Sequence, residues 1–115
     1  MGPHSLDELR TPPFFPKLFQ PLQAGKLQLR NRIVMPAMGT GYGTPDGQVT
    51  QRTIDYYEAR ARGGAGAIIV EVTCVQPPLG KSTLNELAID QDSYIPGLRK
   101  LAQTIQRHGA RALIQ

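Results

Sequence analysis

The chain has 115 residues, and its 13 Lys and Arg outweigh 9 Asp and Glu to leave a formal net charge of +4. The basic residues are scattered, with no basic block and no run interleaved with aromatics, which argues against a nucleic-acid partner. A lone cysteine, Cys74, excludes an internal disulfide, and no apolar run reaches signal-peptide or membrane-span length, so a cytoplasmic protein with no membrane partner is expected.

Met1-Gly2-Pro3-His4-Ser5 reads as a cloning remnant. Residues 1–25 hold five of the ten prolines, Pro3, Pro12, Pro13, Pro16 and Pro21, and this density predicts an extended arm anchored by Phe14, Phe15, Leu18 and Phe19. After Gly25, the alternation Lys26-Leu27-Gln28-Leu29-Arg30 predicts a short hairpin strand able to plug the bottom of a barrel. A first barrel strand follows near 32–38, then a loop from Gly39 to Gly47 whose residues favour turns. Thr50 is placed as N-cap of a helix over 51–62, with Ile54, Tyr57 and Ala61 on one face and Gly63-Gly64 as its stop.

Ala67-Ile68-Ile69-Val70-Glu71-Val72 is the second strand, and Thr73 to Leu84, broken by Pro77-Pro78 and Gly80, is a long loop of the kind that carries function. A second helix is predicted with Ser93 as cap and Pro96 in its first turn. Ile95, Leu98, Leu101, Ala102 and Ile105 recur at helical spacing, and Gly109 ends it. Residues 110–115 form the third strand.

The order is arm (1–25), then hairpin and β-α-β-α-β (26–115), with crossovers long enough to keep the strands parallel. Each apolar run stops abruptly in small or polar residues, which is how a parallel barrel builds a site at the carboxyl ends of its strands. A complete barrel takes about 250 residues. The predicted fold class is therefore α/β, the amino-terminal portion of a TIM (β/α)8 barrel: about three βα units plus a capping hairpin.

Candidate chemistry gathers at the strand ends. Pro36, Ala37, Met38 and Gly39 offer small side chains and a fixed φ that let backbone approach a planar ring, though an ordinary Gly-rich βα loop has the same composition. Glu71 is the only acid in its strand and has no sequence-adjacent acid or histidine to form a catalytic pair, so a supporting role is expected rather than general base. Cys74 reads as a buried or idle thiol, and His108 as a helix-end residue suited to the dipole. His4 lies in the arm. No metal-ligand cluster is present.

Several motifs occur in a recognisable order: Leu18-Phe19-x-Pro21-Leu22, Leu29-Arg30-Asn31-Arg32-Ile33-Val34-Met35-Pro36-x-Met38, Asp46-Gly47-x-x-Thr50, Tyr57-x-x-Arg60-Ala61-x-Gly63-Gly64-x-Gly66 and Ile69-Val70-Glu71. Over about residues 17–115 the chain resembles the amino-terminal part of the Old Yellow Enzyme family of flavin-dependent ene-reductases, in the branch of 2,4-dienoyl-CoA reductase and the NADH:flavin oxidoreductases. The resemblance implies an FMN cofactor reduced by NADPH or NADH, and hydride transfer to an activated alkene. It places Pro36, Ala37, Met38 and Gly39 beside the flavin, with Val72 against the ring and the amide of Gln115 on the flavin pyrimidine edge, which suits a group that both donates and accepts. Many family members carry a Thr or Cys at the position of Gly39 that bonds the flavin; Thr40, one residue on, is the expected substitute.

Tyr42 resembles the loop aromatic that lines the family's substrate pocket, and an exposed loop tyrosine without a ligand is the alternative. No catalytic residue is assigned, because the family's donor pair and proton-donating tyrosine fall beyond Gln115. The implied partner is a companion chain or downstream segment completing the barrel, with a homo-oligomer expected; without it the chain is expected to be inactive. The competing reading is a non-catalytic α/β scaffold or interaction fragment of a split barrel. A Schiff-base or metal-dependent lyase ranks below both, since no strand ends in Lys.

Overall fold

The computed structural model describes residues 15–115. Pro3, His4, Pro12, Pro13 and Phe14, and with them most of the expected arm, lie outside the described residues. Leu22–Ala24 (β1) and Leu27–Leu29 (β2) form an antiparallel hairpin turned by Gly25 at φ 58°. The stretch assigned to the arm thus ends in a paired strand. β1 was not legible, because Leu22-Gln23-Ala24 is too short to show a period.

Val34–Met35 (β3), Ala67–Val70 (β4) and Arg111–Ile114 (β7) make a three-stranded parallel sheet in the order β3-β4-β7. The first strand is shorter than the expected 32–38. Pro36 has no N–H to extend the ladder, and the chain leaves the sheet there. Helix α1 spans Gln51–Arg62 and helix α2 spans Ile95–Arg107. Thr50 caps α1 as expected: its hydroxyl accepts from the Thr53 N–H at 3.2 Å. Ser93 does not cap α2. It sits inside a 3-10 turn, Asp92–Tyr94, that runs straight into the helix, and Pro96 removes one of the N–H groups a cap would bond. The loop after β4 holds a further parallel pair, Thr73–Cys74 (β5) with Leu87–Ala88 (β6). Two-residue strands carry no sequence period, so this pair escaped the reading.

Strand alternation decides what each face of the sheet does. Ile68 and Val70 pack with Ile54, Tyr57, Ala61, Leu101 and Ile105 of the two helices into one core, joined by Met35 and Ala112. The opposite face carries Val34 and Leu113, 44% and 41% exposed. Spatial order follows chain order, and both crossover helices share one core on one face. A doubly wound sheet puts helices on both faces, so this is the arrangement of a barrel arc.

The hairpin is tied to the amino-terminal end of that arc. The Arg30 guanidinium donates to the carbonyls of Ala61 (2.9 Å), Ala65 (2.9 Å) and His108 (2.6 Å), so one cation closes off the carboxyl ends of both helices. Arg111 donates back to the Gln28 carbonyl at 2.9 Å. Asn31 donates to the Gly64 carbonyl at 2.7 Å and accepts the Ile33 N–H at 3.1 Å. The Arg-Asn and Gly-Gly-x-Gly motifs are therefore structural partners of each other.

Glu58 of α1 gathers Arg62 (3.1 Å), Arg107 (3.3 Å) and His108 (2.9 Å), joining the two helices. The hydrogen bond from His108, supported by the two guanidinium groups, holds its carboxyl below the usual value of 4.5. A carboxyl with a depressed folded pKa contributes stability that is present above the unfolded value and lost as pH falls through the folded one. Thermal melts should therefore show the chain losing stability below about pH 4.5, and Glu58→Gln should flatten that limb. An acid limb unchanged in the variant would assign the loss to other carboxylates.

Candidate functional site

The carboxyl ends of β3, β4 and β7 lie side by side because the three strands are parallel and in register. From β3 the chain continues as Pro36–Thr40, from β4 as Glu71-Val72, and from β7 as Gln115. Pro36, Met38 and Gly39 are exposed, Met38 at 47%, and Ala37 and Val72 are half-buried. Gln115 is anchored by its main chain: its N–H donates to the Val70 carbonyl at 3.2 Å, and its carbonyl accepts from Thr73 N–H at 3.0 Å. The main chain at Gln115 is therefore held in place, and the residue is exposed at the β7 end of the rim.

Gly39 tests whether the rim suits a flat ring. Its φ is not positive, and a Cβ built on it meets nothing within 4 Å. Nothing in the chain's own packing requires a glycine there. Open space beside exposed backbone and a half-buried alanine is what a planar cofactor needs for close approach, so the residues fit the group.

Beneath the rim lies a network that sequence reasoning left unconnected. Glu71 is 1% exposed. Its Oε2 accepts from the Thr40 N–H (2.8 Å), and its Oε1 accepts from the Thr40 hydroxyl (2.8 Å) and the Tyr57 hydroxyl (3.1 Å). The Glu71 N–H donates in turn to the Tyr57 oxygen at 2.9 Å. Burial pushes the Tyr57 phenol well above its ordinary pKa, which keeps it a neutral donor. Tyr57 had been legible only as a core position of α1; the missed signal is that a phenol on a buried helix face must bring its hydroxyl to a partner.

This network alters what Thr40 can do. Its hydroxyl proton is given to Glu71, and its oxygen accepts the Tyr42 N–H at 3.1 Å. Donation from that hydroxyl to a flavin carbonyl is therefore not available in this arrangement. Tyr42 is half-buried, edge-on to Tyr56 at 5.7 Å, with the Arg52 guanidinium 3.9 Å from its ring centre. It is packed onto α1.

Glu86, a second buried acid absent from the sequence reading, takes the N–H groups of Ser82 (2.8 Å) and Thr83 (3.2 Å), and shapes the loop between β5 and β6. The Ser82 hydroxyl bond, first among these contacts, lowers its pKa. Cys74 is buried, as expected. No cluster of three or more metal-ligating side chains occurs among the described residues, and no helix there is long and apolar enough to cross a membrane.

Strands in chain order, helices on one side and a small-residue rim at the carboxyl ends make this an arc of a β/α barrel. Residues 17–115 match the profile of the NADH:flavin oxidoreductase / NADH oxidase family, and the chain belongs to it. It is 48% identical over 101 residues to an NADH oxidase of Thermoanaerobacter brockii, covering 88% of this chain and 16% of that protein. Among solved structures it is similar to 2-naphthoyl-CoA reductase in complex with 2-naphthoyl-CoA, with a TM-score of 0.85, 29% identity, and coverage of 88% of this chain and 15% of that one. The old yellow enzyme from Trypanosoma cruzi gives a TM-score of 0.77 at 37% identity, covering 88% of this chain and 26% of the other. The chain thus spans a small part of the length of each, and the expected fold, the amino-terminal portion of their TIM barrel, is the one observed.

Proposed function

We propose that this segment is the amino-terminal part of the FMN site of an ene-reductase, in which NADPH or NADH reduces the flavin and the flavin passes hydride to an activated alkene. The observation that carries the reading is the rim itself: Pro36–Gly39, Val72 and Gln115 brought together at three adjacent strand ends, with open space at Gly39 that the fold does not explain. Bound FMN supplies the hydride chemistry. The protein's task here is placement. Pro36–Gly39 would support the ring through backbone and side chains, Val72 would pack against it, and the Gln115 amide, able to donate and accept, would pair with its polar edge. The similarity to a naphthoyl-CoA reductase supports a thioester as the activating group of the alkene. The contacts of Tyr42 with Tyr56 and Arg52 favour a structural role for that ring over a direct substrate contact.

The remainder of the barrel completes the assembly. β3 and β7 are the two edges of the sheet, and beside β7 Val70, Ile89, Leu98, Leu101, Ala112 and Ile114 line an apolar cleft of about 190 Å³. The next strand and helix of the barrel are the fitting occupants. Purification of the assembled barrel tests the function: it should be yellow, lose its flavin absorbance on addition of NADH or NADPH, and regain it with an enone. A colourless assembled barrel would support the scaffold reading instead.

A further inference from the structure

We propose that Glu71 is a positioning residue for the flavin, holding the Pro36–Thr40 turn in place and setting the electrostatic environment of the ring from beneath. The inference rests on the FMN reading above. Two features carry it.

The first is mechanical. After Met35 the turn has no ladder partner, and a loop of small residues facing solvent has little apolar packing to fix it. What fixes its far end is the Glu71 carboxylate, which takes both the N–H and the hydroxyl of Thr40. Glu71 is itself immobilised, since the Tyr57 hydroxyl bonds both its carboxylate and its N–H, and Tyr57 is fully buried in the core of α1. The path from helix core to rim is therefore three residues long, with every link a hydrogen bond of 3.1 Å or less.

The second is electrostatic. Among the described residues the Glu71 carboxylate has neutral donors, Thr40 and Tyr57, and no ion-pair partner. With no countercharge among the described residues, this buried carboxylate, one residue before Val72, opposes the gain of negative charge by a ring seated there. Glu71 therefore lowers the reduction potential of bound FMN. Thr40, the expected tuning residue, acts through this carboxylate.

The test is made on the FMN-loaded assembled barrel carrying Glu71→Gln, Thr40→Val or Thr40→Ser, with flavin midpoint potential, FMN dissociation constant and thermal unfolding measured for each. Glu71→Gln should move the potential to a more positive value and weaken FMN binding about tenfold, the size of one charge-assisted hydrogen bond. Thr40→Val should weaken binding in the same direction, and Thr40→Ser should restore it. The potential separates charge from general loosening by comparison: Thr40→Val frees the turn but keeps the Glu71 carboxylate, so a positive shift in Glu71→Gln that Thr40→Val does not share is the mark of the charge. If Glu71→Gln fails to fold, the Thr40 pair carries the test, since that side chain is half-exposed and outside the core. Folded variants with wild-type potential and affinity would overturn the inference while leaving the FMN reading intact; a wild-type barrel that holds no FMN would overturn the reading itself.

Discussion

Gly39→Leu is expected to abolish tight FMN binding while leaving the stability of this segment unchanged. The backbone at Gly39 adopts a conformation open to any residue, and a Cβ there has no neighbour within 4 Å, so in the protein's own packing the leucine has room. Exposed substitutions of this kind shift stability by no more than about 0.5 kcal/mol. The same leucine would occupy the space assigned to the ring. A loss of at least about a hundredfold in FMN affinity, roughly 2.7 kcal/mol, is expected. Fluorescence titration with FMN, alongside a thermal melt of the apo form, checks both halves. Undiminished affinity would move the ring away from Pro36–Gly39, and a collapsed melt would make Gly39 a folding residue.

Gly66→Ala should have the opposite profile, a large loss of stability at a position remote from the rim. Its Cβ would lie 2.5 Å from the Asn31 side-chain oxygen and 2.6 Å from the Asn31 carbonyl. Asn31 is buried and already committed to Gly64 and Ile33, and the Gly66 N–H donates to the Ile33 carbonyl at 2.8 Å. Neither partner can retreat without breaking the joint between the hairpin and the start of β4. Overpacking of this kind costs about 3 kcal/mol. Chemical denaturation should show a lowered midpoint with an unchanged slope. A variant as stable as the parent would mean that the Asn31 joint is loose and that the Gly-Gly-x-Gly motif serves something other than packing.

The two glycines show how differently the motifs that carry the family resemblance are used. Arg30, Asn31, Gly64 and Gly66 are the joint at the amino-terminal end of the arc, whereas Pro36–Gly39 and Gln115 face outward at the other end. Spacing alone does not separate the groups, because both are small or polar residues next to short apolar runs. The direction of the strands does separate them: in a parallel sheet every strand enters at one end and leaves at the other, so joint and rim fall on opposite ends.

What the sequence by itself determined was local: α1 from Thr50 to its glycine stop, the apolar faces of both helices, the β4 and β7 runs, the buried thiol, and the strand-end positions of the rim residues. Each follows from a period or a capping rule acting within a few residues. Tertiary structure alone decided the β1 partner of the hairpin, the β5-β6 pair, the grip of Arg30 on two helix ends, and the Tyr57-Glu71-Thr40 path. These join residues 14 to 78 positions apart, or strands of two or three residues. A hydrogen bond between distant side chains leaves no periodic trace, and a strand that short has too few residues to show one.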